Sequence, residues 1–129
     1  MQKSSVYETE PWGFESNESF LNQALWLKTT FTADLLLKYT KQIELDLGRK
    51  EKSNGSYTSR IIDIDILYYD SEIINTNSLK IPHPRIAERR FTLEPLAEII
   101  PHYVNPVSNI SNIDLLKKCT DKSEVKKLV

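Results

Sequence analysis

The stretch Arg60-Ile61-Ile62-Asp63-Ile64-Asp65-Ile66-Leu67 constrains this chain more than any other. Two carboxylates stand two residues apart inside a run of β-branched side chains, and such residues suit the pleated surface of a strand. Side chains on a strand alternate between faces with a period of two. The spacing therefore predicts Ile62, Ile64 and Ile66 facing a core and Asp63 and Asp65 sharing the opposite face. Two anions side by side on a stiff support repel each other unless a cation lies between them, and a set of oxygen ligands suits Mg²⁺. The plain alternative is a strand with a solvated acidic face, which short motifs of this kind also produce.

The rest of the composition narrows the class. A chain of 129 residues with 40% hydrophobic and 27% charged residues has room for one modest core. Its net charge of −1 offers no strong field toward nucleic acid or an anionic membrane. A single cysteine, Cys119, leaves no internal disulfide and no multi-cysteine metal site, and it reads as a bystander thiol suited to a reducing compartment. No run is long and apolar enough to span a membrane and no signal-peptide pattern opens the sequence, so the expected location is the cytoplasm. Three glycines, Gly13, Gly48 and Gly55, form neither a G-x-x-x-x-G-K-[ST] nor a G-x-G-x-x-G motif. P-loop, protein-kinase and Rossmann readings therefore lose their main support.

Along the chain, residues 4–9 read as a strand ending at Glu10-Pro11-Trp12-Gly13. Trp12 in that loop is either a packing anchor or a stacking platform for a planar ligand. Residues 20–29 fit either a strand, with Phe20 and Asn22 on one face, or a short helix. Thr32 is placed to cap a helix from Ala33 to about Leu47, with Leu36, Tyr39, Ile43 and Leu47 as its apolar stripe and Gly48 as its stop. Residues 49–59 are polar and partly cationic. They read either as a lid over a phosphate-bearing substrate or as a solvated connection. Asp70-Ser71 turns the chain, and residues 72–75 form a short strand. Ile81-Pro82-His83-Pro84-Arg85 opens a helix through about Ile99, with Ile86, Leu93 and Leu96 on its core side. Arg85, Arg89 and Arg90 near its start oppose the helix dipole, so they either bind an anion or are tolerated at the surface. The tail after Pro106 reads as one or two short amphipathic helices. Paired carboxylates, Arg60, a cationic loop, His83 and an arginine cluster together suit phosphoryl transfer, where cations and metal ions neutralise charge on the transferred group.

These parts resemble the 6-hydroxymethyl-7,8-dihydropterin pyrophosphokinases of folate biosynthesis. The marks are Ser5-Val6-Tyr7-Glu8-Thr9-Glu10-Pro11-Trp12-Gly13, Phe20-Leu21-Asn22, Gln42-Ile43-Glu44-Leu45 through Gly48-Arg49, the R-x-x-D-x-D of Arg60 to Asp65, and His83 to Phe91 in a P-H-x-x-x-x-x-R-x-F pattern. The resemblance implies an α+β fold, a ferredoxin-like α/β sandwich with an antiparallel sheet, as a single domain over residues 1–129. It implies transfer of pyrophosphate from the co-substrate ATP to the pterin hydroxymethyl group with release of AMP. Asp63 and Asp65 would hold two Mg²⁺ ions, and Arg60, His83 and Arg89 would contact the ATP phosphates. Glu44 would lie near the adenosine, with Ile66 also among the ATP contacts, and Arg49 would begin the catalytic loop. Thr9, Pro11, Trp12, Phe20, Asn22 and Phe91 would frame the pterin. The implied partners are small molecules alone, with no nucleic acid or membrane, for a monomeric enzyme.

Three departures accompany the likeness. Ser56-Tyr57-Thr58-Ser59 stands where the family has a basic residue and a Gly-Pro-like pair, with Tyr57 at a position often given to Trp. Glu10 stands where relatives have a second proline. Family members also open with a strand, a Gly-Ser-Asn turn and a helix, whereas this sequence starts at the following strand. The expectation is thus an N-terminally shortened fold, from a longer gene read short or a fragment. The rival expectations are an inactive remnant that at most binds pterin or nucleotide, a D-x-D metal-dependent nuclease, and an interaction module.

Overall fold

A computed structural model describes residues 1–10, 19–48 and 62–128. Pro11, Trp12, Arg49, Arg60 and the loop over 49–59, all singled out above, lie outside the described residues. The chain divides into two compact units, Met1–Lys28 with Pro84–Val129, and Thr29–His83. Among the described residues every strand pairing is antiparallel and the strands are combined with three α-helices, so the α+β class expected from the sequence holds.

In the first unit β1 (Gln2–Lys3) pairs with β4 (Leu25–Trp26), and β2 (Tyr7–Thr9) runs between β3 (Phe20–Asn22) and β7 (Val125–Lys127). The ambiguous stretch after Phe20 is therefore two short strands. Ser4 is buried because its backbone and side chain both serve that turn: its N–H donates to Ala24 O and its Oγ accepts from Ala24 N, each at 2.9 Å. Helix α2 (Arg90–Ile99) supplies the apolar side chains Leu93 and Leu96, and Ile86 and Leu115 are buried in the same unit. Helix α3 (Asn112–Lys118) starts at Ser111, whose Oγ accepts from Asp114 N at 3.3 Å. Asn112 at its start is fully buried and is retained as a polar residue by donating Nδ2–H to Ile100 O at 3.0 Å.

Two expectations for this unit need correction. The helix expected from Pro84 onward is broken: Ile86–Glu88 is a 3₁₀ turn, Arg89 has extended backbone, and α2 begins only at Arg90. The cause is distant in sequence, because the Asp121 carboxylate accepts the Arg90 N–H at 3.0 Å and caps the helix there. The tail after Pro106 is one helix followed by β7, which adds to β2 in the register Tyr7↔Lys127 and Thr9↔Val125. A three-residue strand with two lysines carries no periodic signal of its own. Its lysines suit the edge position it takes in that sheet.

In the second unit helix α1 (Ala33–Asp46) follows the local rules. Thr32 Oγ1 accepts from Leu35 N at 3.3 Å, and Gly48, at φ 124°, provides the left-handed backbone just past the helix end. The apolar stripe is not the one expected. Tyr39, Ile43 and Leu47 are 50%, 45% and 49% exposed, whereas Ala33 and Glu44 are buried and Leu37 packs on the cluster of Ala33, Leu79 and Ile81. Counting apolar positions selects the row of larger apolar side chains and misses a buried row that ends in a carboxylate. Ile66, Tyr69 and Ile74 complete this core, and β5 (Ile74–Asn75) pairs with β6 (Lys80–Ile81). Asp70 reverses the chain at φ 48°, as its position in the turn demands.

Glu98 joins three parts of the first unit. Its carboxylate accepts from Ser5 N–H at 3.0 Å, from Ser5 Oγ–H at 3.2 Å and from Tyr7 Oη–H at 2.7 Å, with Lys127 Nζ at 3.9 Å. The Tyr7 hydrogen bond does most to hold the Glu98 carboxyl below its ordinary pKa; burial opposes it, and Ser5 and Lys127 add to it. Burial first, then the Glu98 hydrogen bond and charge, push the Tyr7 phenol up. A carboxyl depressed in the folded state contributes stability above its unfolded pKa and loses it as pH falls through the folded value. Glu98→Gln should therefore cost about 1 kcal/mol in urea unfolding at pH 7, and the gap to the parent should start to narrow as pH falls below the ordinary glutamate value of about 4.3.

Candidate functional site

The carboxylate segment is built differently from the strand its sequence implies. Among the described residues, 62–69 join no ladder. The period-two alternation nevertheless survives in the part that matters: Asp63 and Asp65 are exposed while Ile64 and Ile66 are half-buried. Ile62, expected inside, is 38% exposed. Hydrogen bonds to other elements hold the backbone. Ile64 N–H donates to Glu44 Oε2 at 2.7 Å, and Leu67 O accepts from His83 N–H at 2.9 Å. The second bond brings His83, which follows the cis Ile81–Pro82 peptide, to the end of the D-x-D segment. Glu44, Asp63, Asp65, Ile66 and His83 thus belong to one unit.

Two of these residues have partners that the sequence did not indicate. Glu44 is 3% exposed, and its carboxylate is turned onto the Ile64 backbone. The Ile66 side chain packs against the Ala33, Leu79 and Ile81 core. Among the described residues no three His, Cys, Asp or Glu side chains gather as a metal site. Two exposed carboxylates two residues apart still fit Mg²⁺, which keeps several waters and commonly binds one or two carboxylates together with substrate phosphates.

The other residues belong to the first unit. Register places Thr9 opposite Phe20 and Tyr7 opposite Asn22 on the β2–β3 pair, so Phe20 and Asn22 share a strand face. Phe20 is 57% exposed. Thr9 is buried, and its Oγ1 has no hydrogen-bond partner among the described residues. A buried hydroxyl without a partner is costly, which makes this atom a candidate for contact with something bound.

At the start of α2 the arginines separate into two roles. Arg90 is committed to the protein: Nε donates to Asp121 O at 3.0 Å and Nη1 pairs with Glu94 at 3.3 Å. Arg89 instead lies over the Phe91 ring, with its guanidinium carbon 5.5 Å from the ring centre. Arg89 and Phe91 line a shallow cleft of about 480 Å³ with Ala87, Glu88, Lys118, Thr120 and Asp121. The last three come from the tail, which the sequence reading left without chemistry. The only local hint was Asp121 two residues before Ser123, a pair that forms an Asx-type turn: Ser123 N–H and Oγ–H donate to Asp121 at 2.9 and 2.6 Å. Burial works against the Asp121 carboxylate, but the Ser123 and Arg90 hydrogen bonds and the Arg90 charge outweigh it and hold its pKa below the ordinary value.

Comparison with known proteins gives a consistent result. The model of the family described as 7,8-dihydro-6-hydroxymethylpterin-pyrophosphokinase matches residues 1–101. A 2-amino-4-hydroxy-6-hydroxymethyldihydropteridine pyrophosphokinase of Aquifex aeolicus is 44% identical over 104 residues, which are 81% of this chain and 64% of that protein. The protein of the same name from Bacillus subtilis is 47% identical over 96 residues, 74% of this chain and 56% of its own length. The one from Porphyromonas gingivalis is 40% identical over 112 residues, 85% of this chain and 76% of its own. The chain therefore spans less than two thirds of the Aquifex and Bacillus proteins.

Replacing Asp121 by Ala removes the cap that starts α2 and the turn that lines the cleft. The expected cost is about 1–2 kcal/mol in urea unfolding, with faster hydrogen exchange at the Arg90 amide.

Proposed function

The chain belongs to the 7,8-dihydro-6-hydroxymethylpterin-pyrophosphokinase family, and from that membership we propose that it transfers pyrophosphate from MgATP to 6-hydroxymethyl-7,8-dihydropterin, releasing AMP. The observation that carries the reading is the shared exposure of Asp63 and Asp65, on a segment whose inner side chains are partly withdrawn from water. In this reaction the pterin hydroxyl oxygen forms a bond to the β-phosphorus, and the bond from that phosphorus to the oxygen bridging it to the α-phosphate breaks. The hydroxyl proton is lost and AMP leaves with the bridging oxygen.

Asp63 and Asp65 would hold Mg²⁺, two ions in the full reading. Bound there, the metal supplies charge neutralisation for the phosphate oxygens. The chain's own residues orient and exclude. His83, fixed by its backbone to Leu67, and Arg89, steadied over Phe91, would contact phosphate, as would Arg60. Phe91 and Phe20 would offer ring faces to the pterin, while Asn22 and the Thr9 hydroxyl would offer polar partners; Pro11 and Trp12 would complete the set. Glu44 and Ile66 would support the adenosine side, with Arg49 at the start of the loop. On this reading the chain acts as a monomer on small molecules in the cytoplasm, without nucleic acid or membrane. No helix among the described residues is long and apolar enough to cross a membrane.

Purified chain incubated with MgATP and the pterin should form AMP in a pterin-dependent way. Asp63→Ala or Asp65→Ala should lower the rate more than about 100-fold, since even outer-shell partners of a metal are worth about 10- to 100-fold. The far-UV circular dichroism should stay unchanged. Undiminished AMP formation in either variant would refute the metal assignment. Nucleotide binding without AMP would instead favour the binding-only remnant, and plasmid nicking the nuclease.

A further inference from the structure

Glu44 is the one acidic side chain on α1 that is withdrawn from water, at 3% exposure. Burying a carboxylate is expensive, and a hydrocarbon of similar volume would serve α1 as core at lower cost. Its destination explains its retention. Oε2 accepts the N–H of Ile64 at 2.7 Å, and Ile64 is the residue between Asp63 and Asp65. Charge-assisted bonds of this kind are short and about twice as strong as neutral ones. This one acts on a segment that has no ladder among the described residues, so the bond replaces part of what a neighbouring strand would provide. With the Leu67 O to His83 N–H bond at 2.9 Å, it fixes the segment both within the carboxylate pair and just beyond it.

We infer that Glu44 is a positioning residue: its buried carboxylate, by accepting the Ile64 N–H, holds the backbone that aims Asp63 and Asp65 at one metal-binding side. The inference rests on the proposed metal role of those two aspartates and gives Glu44, beside its proposed place near the adenosine, a second role exerted through the backbone. Outer-shell partners of this sort orient ligands and are worth about 10- to 100-fold in metal affinity.

The test compares Glu44→Ala and Glu44→Gln with the parent chain. It uses two readouts: hydrogen exchange at the Ile64 amide by NMR, and binding of Mn²⁺ by electron paramagnetic resonance with a non-hydrolysable ATP analogue held at a saturating concentration for each variant. Glu44→Ala should speed Ile64 exchange by about tenfold or more and weaken Mn²⁺ binding by about tenfold. Glu44→Gln, whose amide oxygen still accepts, should keep the Ile64 amide protected as in the parent. Unchanged Ile64 exchange in Glu44→Ala overturns the inference. So does faster exchange with unchanged Mn²⁺ affinity, which would make the bond merely structural. A Glu44→Gln variant whose Ile64 amide loses its protection also overturns it, and this variant alone decides if Glu44→Ala fails to fold by circular dichroism. A parent chain with a protected Ile64 amide but no Mn²⁺ binding instead refutes the metal reading, and the inference falls with its premise.

Discussion

A backbone amide removed from water needs an acceptor, and the amide between the two aspartates finds it in the carboxylate of Glu44. This bond sets the character of the second unit. It explains why α1 buries a row that ends in an acidic residue and leaves Tyr39, Ile43 and Leu47 half exposed. It also explains how a segment outside the described ladders keeps alternating exposure, with Ile66 on the core and Asp63 and Asp65 outward. The carboxylate does for one peptide group what a neighbouring strand does for several.

The first unit applies the same principle with other carboxylates. Glu98 gathers the Ser5 backbone and the Tyr7 hydroxyl onto the end of α2, and Asp121 holds its beginning. One helix is thus fixed at both ends by side chains rather than by packing alone. The consequence for the site lies at Arg89. Asp121 and Glu94 occupy Arg90, so the neighbouring arginine is the one that lies over Phe91 in the cleft.

What could be read from the sequence was whatever short-range chemistry determines. Thr32 and Gly48 bound α1 because capping and left-handed backbone are local demands, and Asp70 turns the chain for the same reason. The alternation of exposed Asp63 and Asp65 with half-buried Ile64 and Ile66 followed from period-two geometry and survived even without a strand. The failures are all long-range. Asp121 moves the start of α2 from 31 residues away, and β7 joins β2 across nearly the whole chain. The buried row of α1 was hidden because hydrophobic counting cannot anticipate a carboxylate drawn inside by a backbone donor. The motif residues that mark the family were legible as a set, yet their individual partners were not: Glu44 and Ile66 each have a structural contact that the motif alone does not suggest.

The central claim, that the paired aspartates serve transfer of an intact pyrophosphoryl group, is tested most directly by following label from ATP. With phosphorus labelled separately at the β and γ positions, both labels should appear together in the pterin product, in equal amounts and in step with unlabelled AMP. Transfer of the γ label alone with ADP left behind, or no label in the pterin at all, would contradict the account.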